Sequence, residues 1–327
     1  MLSLHIGVFN PSLIHTASPY PGDKVFLKGF QKNGYDTKYF DYRATFDCNK
    51  ELQLLELETE PDVIWFGKCE RITEETMKFL RTKYKNAIFC KWAADVRYMP
   101  TEHDSMHCKY IDWFFGTFGG DYLKAHLVKG MKGVCSILTF TDSDFYRPID
   151  YDNKYESNVL WTGHRSSGDN LLRNQIIDSL YRDTLRADMG HFVKMLGLTN
   201  WVGTPEYNAY ITGTKIGIGC NSFKRTKYSS DRLGNYMSIG TFFLTEYIDG
   251  LDDCFKDNVH LSYFKDVDEM WKKIEYYLEH EDERNEIAKK GQTLVHKYFD
   301  SKPLVENILK VIKTNKKNYS WDDIYTL

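Results

Sequence analysis

The residues best placed to bind a charged ligand lie within 228–240, where hydroxyl, carboxylate and guanidinium side chains open a predicted helix. Ser229, Ser230 and Arg232 place hydrogen-bond donors at the start of that helix. A helix N-terminus presents free N–H groups and a partial positive charge, and both attract anions. The segment therefore predicts a seat for a diphosphate. The same residues leave an alternative open, in which Ser230 or Asp231 caps the helix and no ligand binds.

Alternating strands and helices must position this segment. In the first half of the chain, apolar runs predict strands at 2–9, 35–42, 62–67, 87–94, 111–116 and 133–138, with segments of helical spacing among them. The pattern restarts after 156, with strands at 158–163, 215–219 and 241–245. Parallel sheets that helices cover on both faces produce runs of this kind. We therefore predict an α/β fold of two Rossmann-like, doubly wound domains that face each other across a cleft.

The polar stretch 150–156 marks the boundary between the two domains. It divides the chain into an N-terminal domain, 1–149, and a C-terminal domain, 150–302, which are followed by 303–327. In open α/β sheets, ligands bind outside the carboxyl ends of the strands. We therefore look for the chemistry of this protein in the loops that follow the strands.

Composition excludes several classes of protein. The 327 residues carry a formal net charge of −3, which creates no global attraction to nucleic acid or to an anionic membrane. The chain has no run of roughly 18 apolar residues, and its opening residues lack the features of a secretory signal. Seven cysteines without a C-x-x-C pair indicate neither a disulfide framework nor a zinc site. We expect a cytoplasmic protein with no membrane insertion.

Several motifs of cofactor and metal chemistry are missing from the sequence. It contains no G-x-G-x-x-G, no phosphate-binding P-loop, no H-E-x-x-H, no G-x-S-x-G and no Asp-x-Asp motif of the kind that holds a metal in single-domain sugar transferases. Dehydrogenases, P-loop kinases and metal-dependent single-domain sugar transferases therefore fit poorly. A two-domain transferase that requires no metal remains.

The C-terminal part of the chain carries a family resemblance. The run 240–251, together with 266–270, 276–278, 283–284, 287–291 and Tyr298, resembles the C-terminal domain of GT-B-fold glycosyltransferases of the spore-maturation-protein type, within the group-1 superfamily. The resemblance covers about the last 100 residues and is weaker at 163–165, 94–97 and 144–148. It implies that the N-terminal domain binds the acceptor, that the C-terminal domain binds the donor, and that the helix in 303–327 packs back on the N-terminal domain.

The resemblance also implies the donor and its contacts. The donor is a nucleoside-diphosphate sugar, most simply a UDP-sugar, which acts as a co-substrate with no further cofactor. Ser229, Ser230 and Arg232 would contact its diphosphate. The residues of the facing loop and a nearby cation would assist them: Gly163, His164, Arg165 and Lys227. Asn235 stands where many relatives have a glutamate that holds the donor ribose, and its amide forms hydrogen bonds without charge.

Sugar transfer requires a base for the acceptor hydroxyl, or assistance from the donor phosphate. Asp95 follows a predicted strand and is the first candidate, although it would also suit a helix cap or an ion pair with Arg97. The loop 10–23 follows the first strand and contains His15 and Asp23 as further candidates. The ordinary pKa of histidine suits proton transfer at neutral pH, but surface histidines are also often idle.

The acceptor is less well defined than the donor. Relatives act on surface saccharides or proteins, and some GT-B enzymes of phages glycosylate hydroxymethylated bases in DNA. The small size and the Lys-, Asn- and Tyr-rich composition are compatible with a phage protein, which would act in the host cytoplasm. Duplex DNA would require a basic groove and a flipped base. The basic clusters at 78–85 and 310–317 resemble the polar faces of helices instead.

Two rivals to a transferase remain open. One is a sugar-nucleotide or nucleic-acid binding protein that keeps the fold without the chemistry, for which Asn235 is the best argument. The other is a two-domain epimerase that acts on the nucleotide sugar itself.

Overall fold

The computed structural model describes residues 1–10, 22–165, 168–185, 192–197 and 206–327. These residues form two compact units. The first unit contains residues 1–10, 22–138 and 301–327, and the second contains the described residues of 139–300. Each unit has its own sheet and its own helices.

The strands of the described residues are short. They are β1 (Leu2–Gly7), β2 (Asp36–Asp41), β3 (Val63–Phe66), β4 (Ile88–Ala93), β5 (Trp113–Gly116), β6 (Gly133–Ser136), β7 (Ser157–Thr162), β8 (Val193–Leu196), β9 (Thr214–Gly219), β10 (Phe242–Glu246), β11 (Ser262–Phe264) and β12 (Ile324–Tyr325).

Helices alternate with these strands along the chain. They are α1 (Gly22–Lys32), α2 (Cys48–Leu54), α3 (Glu74–Lys83), α4 (Glu102–Cys108), α5 (Gly120–Lys124), α6 (Leu171–Thr184), α7 (Glu206–Thr212), α8 (Asp231–Ile239), α9 (Val267–Glu279), α10 (Glu281–Tyr298) and α11 (Ser301–Thr314). In the part of the chain that the structure describes, no helix is both long enough and apolar enough to cross a membrane.

The sheet of the first unit has the order β12-β6-β5-β4-β3-β1-β2. Strands β1 to β6 are parallel, and β12 joins the edge of the sheet antiparallel to β6. The central strands are buried along their whole length, as in the four-residue strands β3 and β5. Helices on both faces of a parallel sheet explain why these strands are continuously apolar.

The sheet of the second unit has the order β11-β10-β9-β7-β8, and all of its strands are parallel. Its core contains the apolar side chains of the central strands and of the helices that cover them, among them Val159, Trp161, Ile176, Ile216 and Leu244. Because β9 lies between β7 and β10, the carboxyl ends of these three strands are neighbours at one edge of the sheet.

The observed units begin and end at other residues than the expected domains, 1–149 and 150–302. Residues 139–148 belong to the second unit because they pack on α8. The carbonyl oxygen of Tyr146 accepts a hydrogen bond of 2.7 Å from Ser238 Oγ, and the carbonyl of Phe140 contacts Gly234 closely. The second boundary falls at 300/301, where α11 begins.

Helix α11 packs on α1 within the first unit. A Cβ atom at Gly29 would overlap both the carbonyl oxygen of Ser301 and Cγ2 of Val305, which is fully buried. The absence of a side chain at Gly29 therefore permits the two helices to approach closely.

We expect Gly29→Val to lower the free energy of unfolding by more than about 2 kcal/mol, because overpacking forces α11 away from α1. Urea unfolding followed by circular dichroism measures this loss. Gln31→Val is the control, since it places the same β-branched side chain at an exposed position of the same helix, where no overpacking results. Equal stability of the two variants would contradict the packing argument.

Candidate functional site

The carboxyl ends of β7 and β9 carry an unusual concentration of positive charge. Gly163 follows β7 directly, and its backbone has φ +129°, which only glycine adopts readily. A Cβ atom at Gly163 would lie 2.9 Å from Arg173 Nη2 and 2.9 Å from Arg232 Nη1. Two guanidinium groups, one from α6 and one from α8, therefore converge on the backbone of Gly163.

Arg173 ties the two strand ends together. Its Nε and Nη2 atoms donate hydrogen bonds of 3.1 and 2.6 Å to the carbonyl oxygen of His164, and its Nη1 donates to the carbonyl of Cys220. The guanidinium also lies 4.8 Å from the ring centroid of Trp161, within the range of a cation–π contact. Arg173 is 3% exposed.

Arg232 also donates to the carbonyl oxygen of Cys220, through an Nη2 hydrogen bond of 3.2 Å. The buried Nε of Arg232 has no partner among the described residues. Burial and the neighbouring Arg232 charge lower the pKa of Arg173 to about 9, which leaves Arg173 protonated at neutral pH. Two neighbouring like charges repel each other, so an anion that contacts both would stabilise the arrangement.

The N-terminus of α8 adds backbone donors to this site. Ser230 occupies the N-cap position, but its side chain forms no capping hydrogen bond. The capping alternative for Ser230 is therefore not realised by its hydroxyl. Asn221 holds this turn in place, because its Oδ1 accepts from the Ser230 amide at 3.2 Å and its Nδ2 donates to the carbonyl of Tyr228 at 3.0 Å.

A buried carboxylate, Glu246, supports Asn221 from below. Glu246 is fully buried at the end of β10, and its Oε1 accepts a 2.7 Å hydrogen bond from the backbone N–H of Asn221. Asn170 Nδ2 donates to both carboxylate oxygens, at 2.8 and 2.6 Å. Burial raises the pKa of Glu246 above its ordinary value. Sequence reasoning missed this residue, and the only available signal was an acid at the end of an apolar run.

The structure brings together only part of the predicted donor-binding set. Gly163, His164, Ser230 and Arg232 meet around the carbonyl of Cys220 and the start of α8, directly or through Arg173 and Asn221. Ser229 precedes Ser230 and is 3% exposed.

Three predicted donor-binding residues have other surroundings. Arg165 forms an ion pair with Asp178 of α6. Lys227 is buried, and its Nζ lies 3.1 Å from Asp253 Oδ2. The backbone N–H of Lys227 donates to the carbonyl of Asp249. Asn235 is 1% exposed, and its amide has no partner in hydrogen-bond geometry within the described ranges.

Two of the predicted bases, Asp95 and Asp23, belong to the first unit. Asp95 is more than half exposed, and its Oδ2 lies 2.7 Å from Lys68 Nζ, so its ion-pair partner is Lys68. Lys68 follows β3 and Asp95 follows β4, which places the pair at the carboxyl edge of the sheet. His15 lies outside the described residues.

Asp23 is a buried carboxylate in the first turn of α1. Its Oδ2 accepts a 2.7 Å hydrogen bond from the Val8 amide, and its Oδ1 accepts one of 2.7 Å from Trp92 Nε1. Asp23 thereby connects α1 to the residues that follow β1 and to Trp92 near the end of β4. Burial raises its pKa to about 6, although these hydrogen bonds and Lys91 act in the opposite direction.

The second unit's site thus combines two guanidinium groups with the N–H groups of a helix start. This combination suits an anion with more than one negative charge. Among the residues that the structure describes, no three His, Cys, Asp or Glu side chains lie together as metal ligands would.

We expect Gly163→Ala to weaken binding of pyrophosphate by at least about tenfold, because the methyl group would displace both guanidinium groups and each charged hydrogen bond contributes about 1.5–3 kcal/mol. Isothermal titration calorimetry measures the dissociation constant. Gly130→Ala is the control, since Gly130 also has a positive φ, +102°, but an added Cβ there meets no atom within 4 Å. Unchanged pyrophosphate affinity in Gly163→Ala would show that the anion does not bind here.

We expect Asp23→Asn to change how stability depends on pH. The folded pKa of Asp23, about 6, exceeds its unfolded value of about 3.9. Its contribution to stability is therefore full below about pH 4 and is lost as the pH rises through 6. Between pH 4 and pH 7, the wild type should lose about 2 kcal/mol relative to the variant. Urea unfolding of both proteins at several pH values tests this, and parallel curves would exclude the shift.

Part of the chain is similar to a known protein family. A family model described as glycosyl transferase-like matches residues 181–310. No curated protein matches the chain.

Several solved structures are similar over nearly the whole chain. The HepE protein of Anabaena, in complex with UDP, has a TM-score of 0.60 at 10% identity and covers 96% of this chain and 100% of its own. Sucrose-phosphate synthase from Thermosynechococcus elongatus has a TM-score of 0.61 at 10% identity, with 96% and 99% covered. A glycosyltransferase from Rickettsia africae has a TM-score of 0.59 at 11% identity, with 97% and 99% covered. These likenesses confirm the predicted fold class, α/β with two Rossmann-like units of the GT-B type.

Proposed function

We propose that this protein is a glycosyltransferase that moves a sugar from a nucleoside-diphosphate donor, most simply a UDP-sugar, to a hydroxyl acceptor. The observation that carries this proposal is the convergence of Arg173 and Arg232 on Gly163, beside the start of α8. The glycosyl transferase-like match over residues 181–310 includes α8 and Arg232 and supports it. HepE, which shares the fold, was solved with UDP and with UDP-glucose.

The geometry suits the departure of a nucleoside diphosphate. During transfer, the bond between the anomeric carbon and the phosphate oxygen breaks, and negative charge grows on the diphosphate. Positive groups that are already in place stabilise this charge without reorganisation. In our proposal, the two guanidinium groups and the N–H groups of α8 supply the charge that a divalent cation supplies in metal-dependent transferases, so no metal is required.

Asp95 is the proposed base for the acceptor hydroxyl. It would take the hydroxyl proton as the acceptor oxygen bonds to the anomeric carbon. Its exposure at the carboxyl edge of the first sheet supports this role, and Lys68 would hold the carboxylate in place. Asp23 is less suitable, because both of its oxygens already accept hydrogen bonds inside the fold.

The acceptor that we favour is a saccharide hydroxyl rather than a hydroxymethylated base in duplex DNA. A DNA groove requires cations that are free to contact phosphates. In the basic cluster of α3, three cations already have carboxylate partners: Lys78 with Glu74 at 3.6 Å, Arg81 with Asp112 at 2.8 Å and Lys83 with Glu56 at 3.2 Å. These ion pairs weaken the case that the basic cluster at 78–85 binds DNA.

A panel of nucleotide sugars tests the proposal, with release of nucleoside diphosphate as the measurement, in the presence of an oligosaccharide mixture or of hydroxymethylated DNA. We expect release with one donor, stimulated by the oligosaccharides. Arg232→Met should lower kcat/KM by about a hundredfold, because it removes a charged group from the leaving diphosphate. Arg182→Met is the control, since Arg182 is exposed.

Other outcomes point to the rival functions. Stimulation by DNA alone would move the acceptor to DNA. Binding of a donor without release under any condition would favour a binding protein. Recovery of an isomeric sugar nucleotide, seen by nuclear magnetic resonance, would identify an epimerase.

A further inference from the structure

We propose that Arg173 is a positioning residue of the diphosphate seat: it holds Arg232 and the loop after β7 in a like-charged arrangement that only a multiply charged anion completes. This inference rests on the proposed function for the identity of the ligand. Neither the sequence patterns nor the family resemblance singles out Arg173, which lies inside α6.

The first argument is the geometry of the guanidinium fork. Two nitrogens of Arg173 donate to the carbonyl of His164, and the third donates to the carbonyl of Cys220. Arg173 thus joins the residues that follow β7 to the residue that follows β9. A planar group with several donors in one plane makes such a bridge, whereas the single ammonium of lysine cannot reproduce it.

The second argument is the shared acceptor. Arg232 donates to the same carbonyl oxygen of Cys220 at 3.2 Å, and both guanidinium groups lie 2.9 Å from the position of an added Cβ at Gly163. The position of Arg232 therefore depends on atoms that Arg173 already holds. Within the described part of the site, the Nε of Arg232 has no partner and is therefore a donor that a ligand could use.

The third argument is the charge balance. Neither Arg173 nor Arg232 forms an ion pair with a carboxylate of residues 1–10, 22–165, 168–185, 192–197 or 206–327. Glu246 acts on Arg173 only from a distance, because Asn170 and Asn221 occupy its oxygens. Neighbouring like charges without a counterion repel each other, and a bound anion offsets this repulsion by attracting both guanidinium groups.

A purely structural tie between two loops would have different consequences. It would contribute to stability, and its effect on ligand affinity would be independent of Arg232. A positioning role predicts instead that the effects of Arg173 and Arg232 on anion binding depend on each other, since both act on one ligand. A double-mutant cycle distinguishes the two roles.

The test uses the full chain and the variants Arg173→Met, Arg173→Lys, Arg232→Met and the double variant Arg173→Met/Arg232→Met, with Arg182→Met as the control on α6. Calorimetry measures the dissociation constants of pyrophosphate, UDP and uridine, and urea unfolding checks that each variant folds. We expect Arg173→Met to weaken UDP binding by about 30-fold in the wild-type background but by less than about threefold when Arg232 is already methionine. Uridine binding should change less than about twofold, because uridine carries no phosphate.

Arg173→Lys separates charge from geometry. We expect it to bind pyrophosphate nearly as weakly as Arg173→Met, because lysine keeps the charge but loses the fork; affinity equal to that of the wild type would overturn the positioning role. Equal losses in both Arg232 backgrounds would also overturn it. If Arg173→Met does not fold, Arg173→Lys in both backgrounds provides the cycle.

The outcomes also distinguish this inference from the proposed function. If the wild type binds neither pyrophosphate nor UDP, the proposed function fails. If the wild type binds both and the Arg173 variants bind equally well, only the inference about Arg173 fails.

Discussion

One backbone oxygen, the carbonyl of Cys220, organises the candidate site of the second unit. It accepts hydrogen bonds from Arg173 and Arg232, which approach from two different helices. The carbonyl is available because β9 ends at Gly219 and the chain leaves the sheet there. The position of a strand end thus determines where two positive charges meet, and the ligand chemistry of the unit follows from that meeting.

A hydrogen-bonded set of neutral and acidic side chains fixes the position of the start of α8. Glu246 holds Asn221, and Asn221 holds the backbone of 228–230, where α8 begins. Asn170 completes the layer by donating to both oxygens of Glu246. Burial of this carboxylate is tolerable because both of its oxygens accept hydrogen bonds and Lys224 Nζ lies 3.9 Å from Oε2. The same contacts leave it unable to neutralise the arginines directly.

The sequence was sufficient for the fold class because continuous apolar strands and regular helix spacing are local signals. It did not predict α4, α7, β8, β11 or β12. Helix α4 is polar and depends on its Thr101 cap, while β12 exists only through pairing with β6, which is distant in sequence. Within the site, a helix N-terminus and a following arginine are visible as a pattern, so the sequence suggested Ser230 and Arg232 as candidates. Arg173 and Glu246 owe their roles to tertiary neighbours, and no local spacing reveals these. Arg165 and Lys227 show the converse, since tertiary contacts gave these cations acidic partners.

The placement of 301–327 in the first unit has a consequence for biosynthesis. The second unit is continuous within 139–300, whereas the first unit requires α11 and β12 from the end of the chain. During translation, the described residues of the second unit are all available before those of the first. The second unit is therefore able to fold before α11 and β12 are synthesised, while β6 still has an unpaired edge and α1 an uncovered face. During this interval that edge and that face favour aggregation, because exposed strand edges and apolar surfaces promote it.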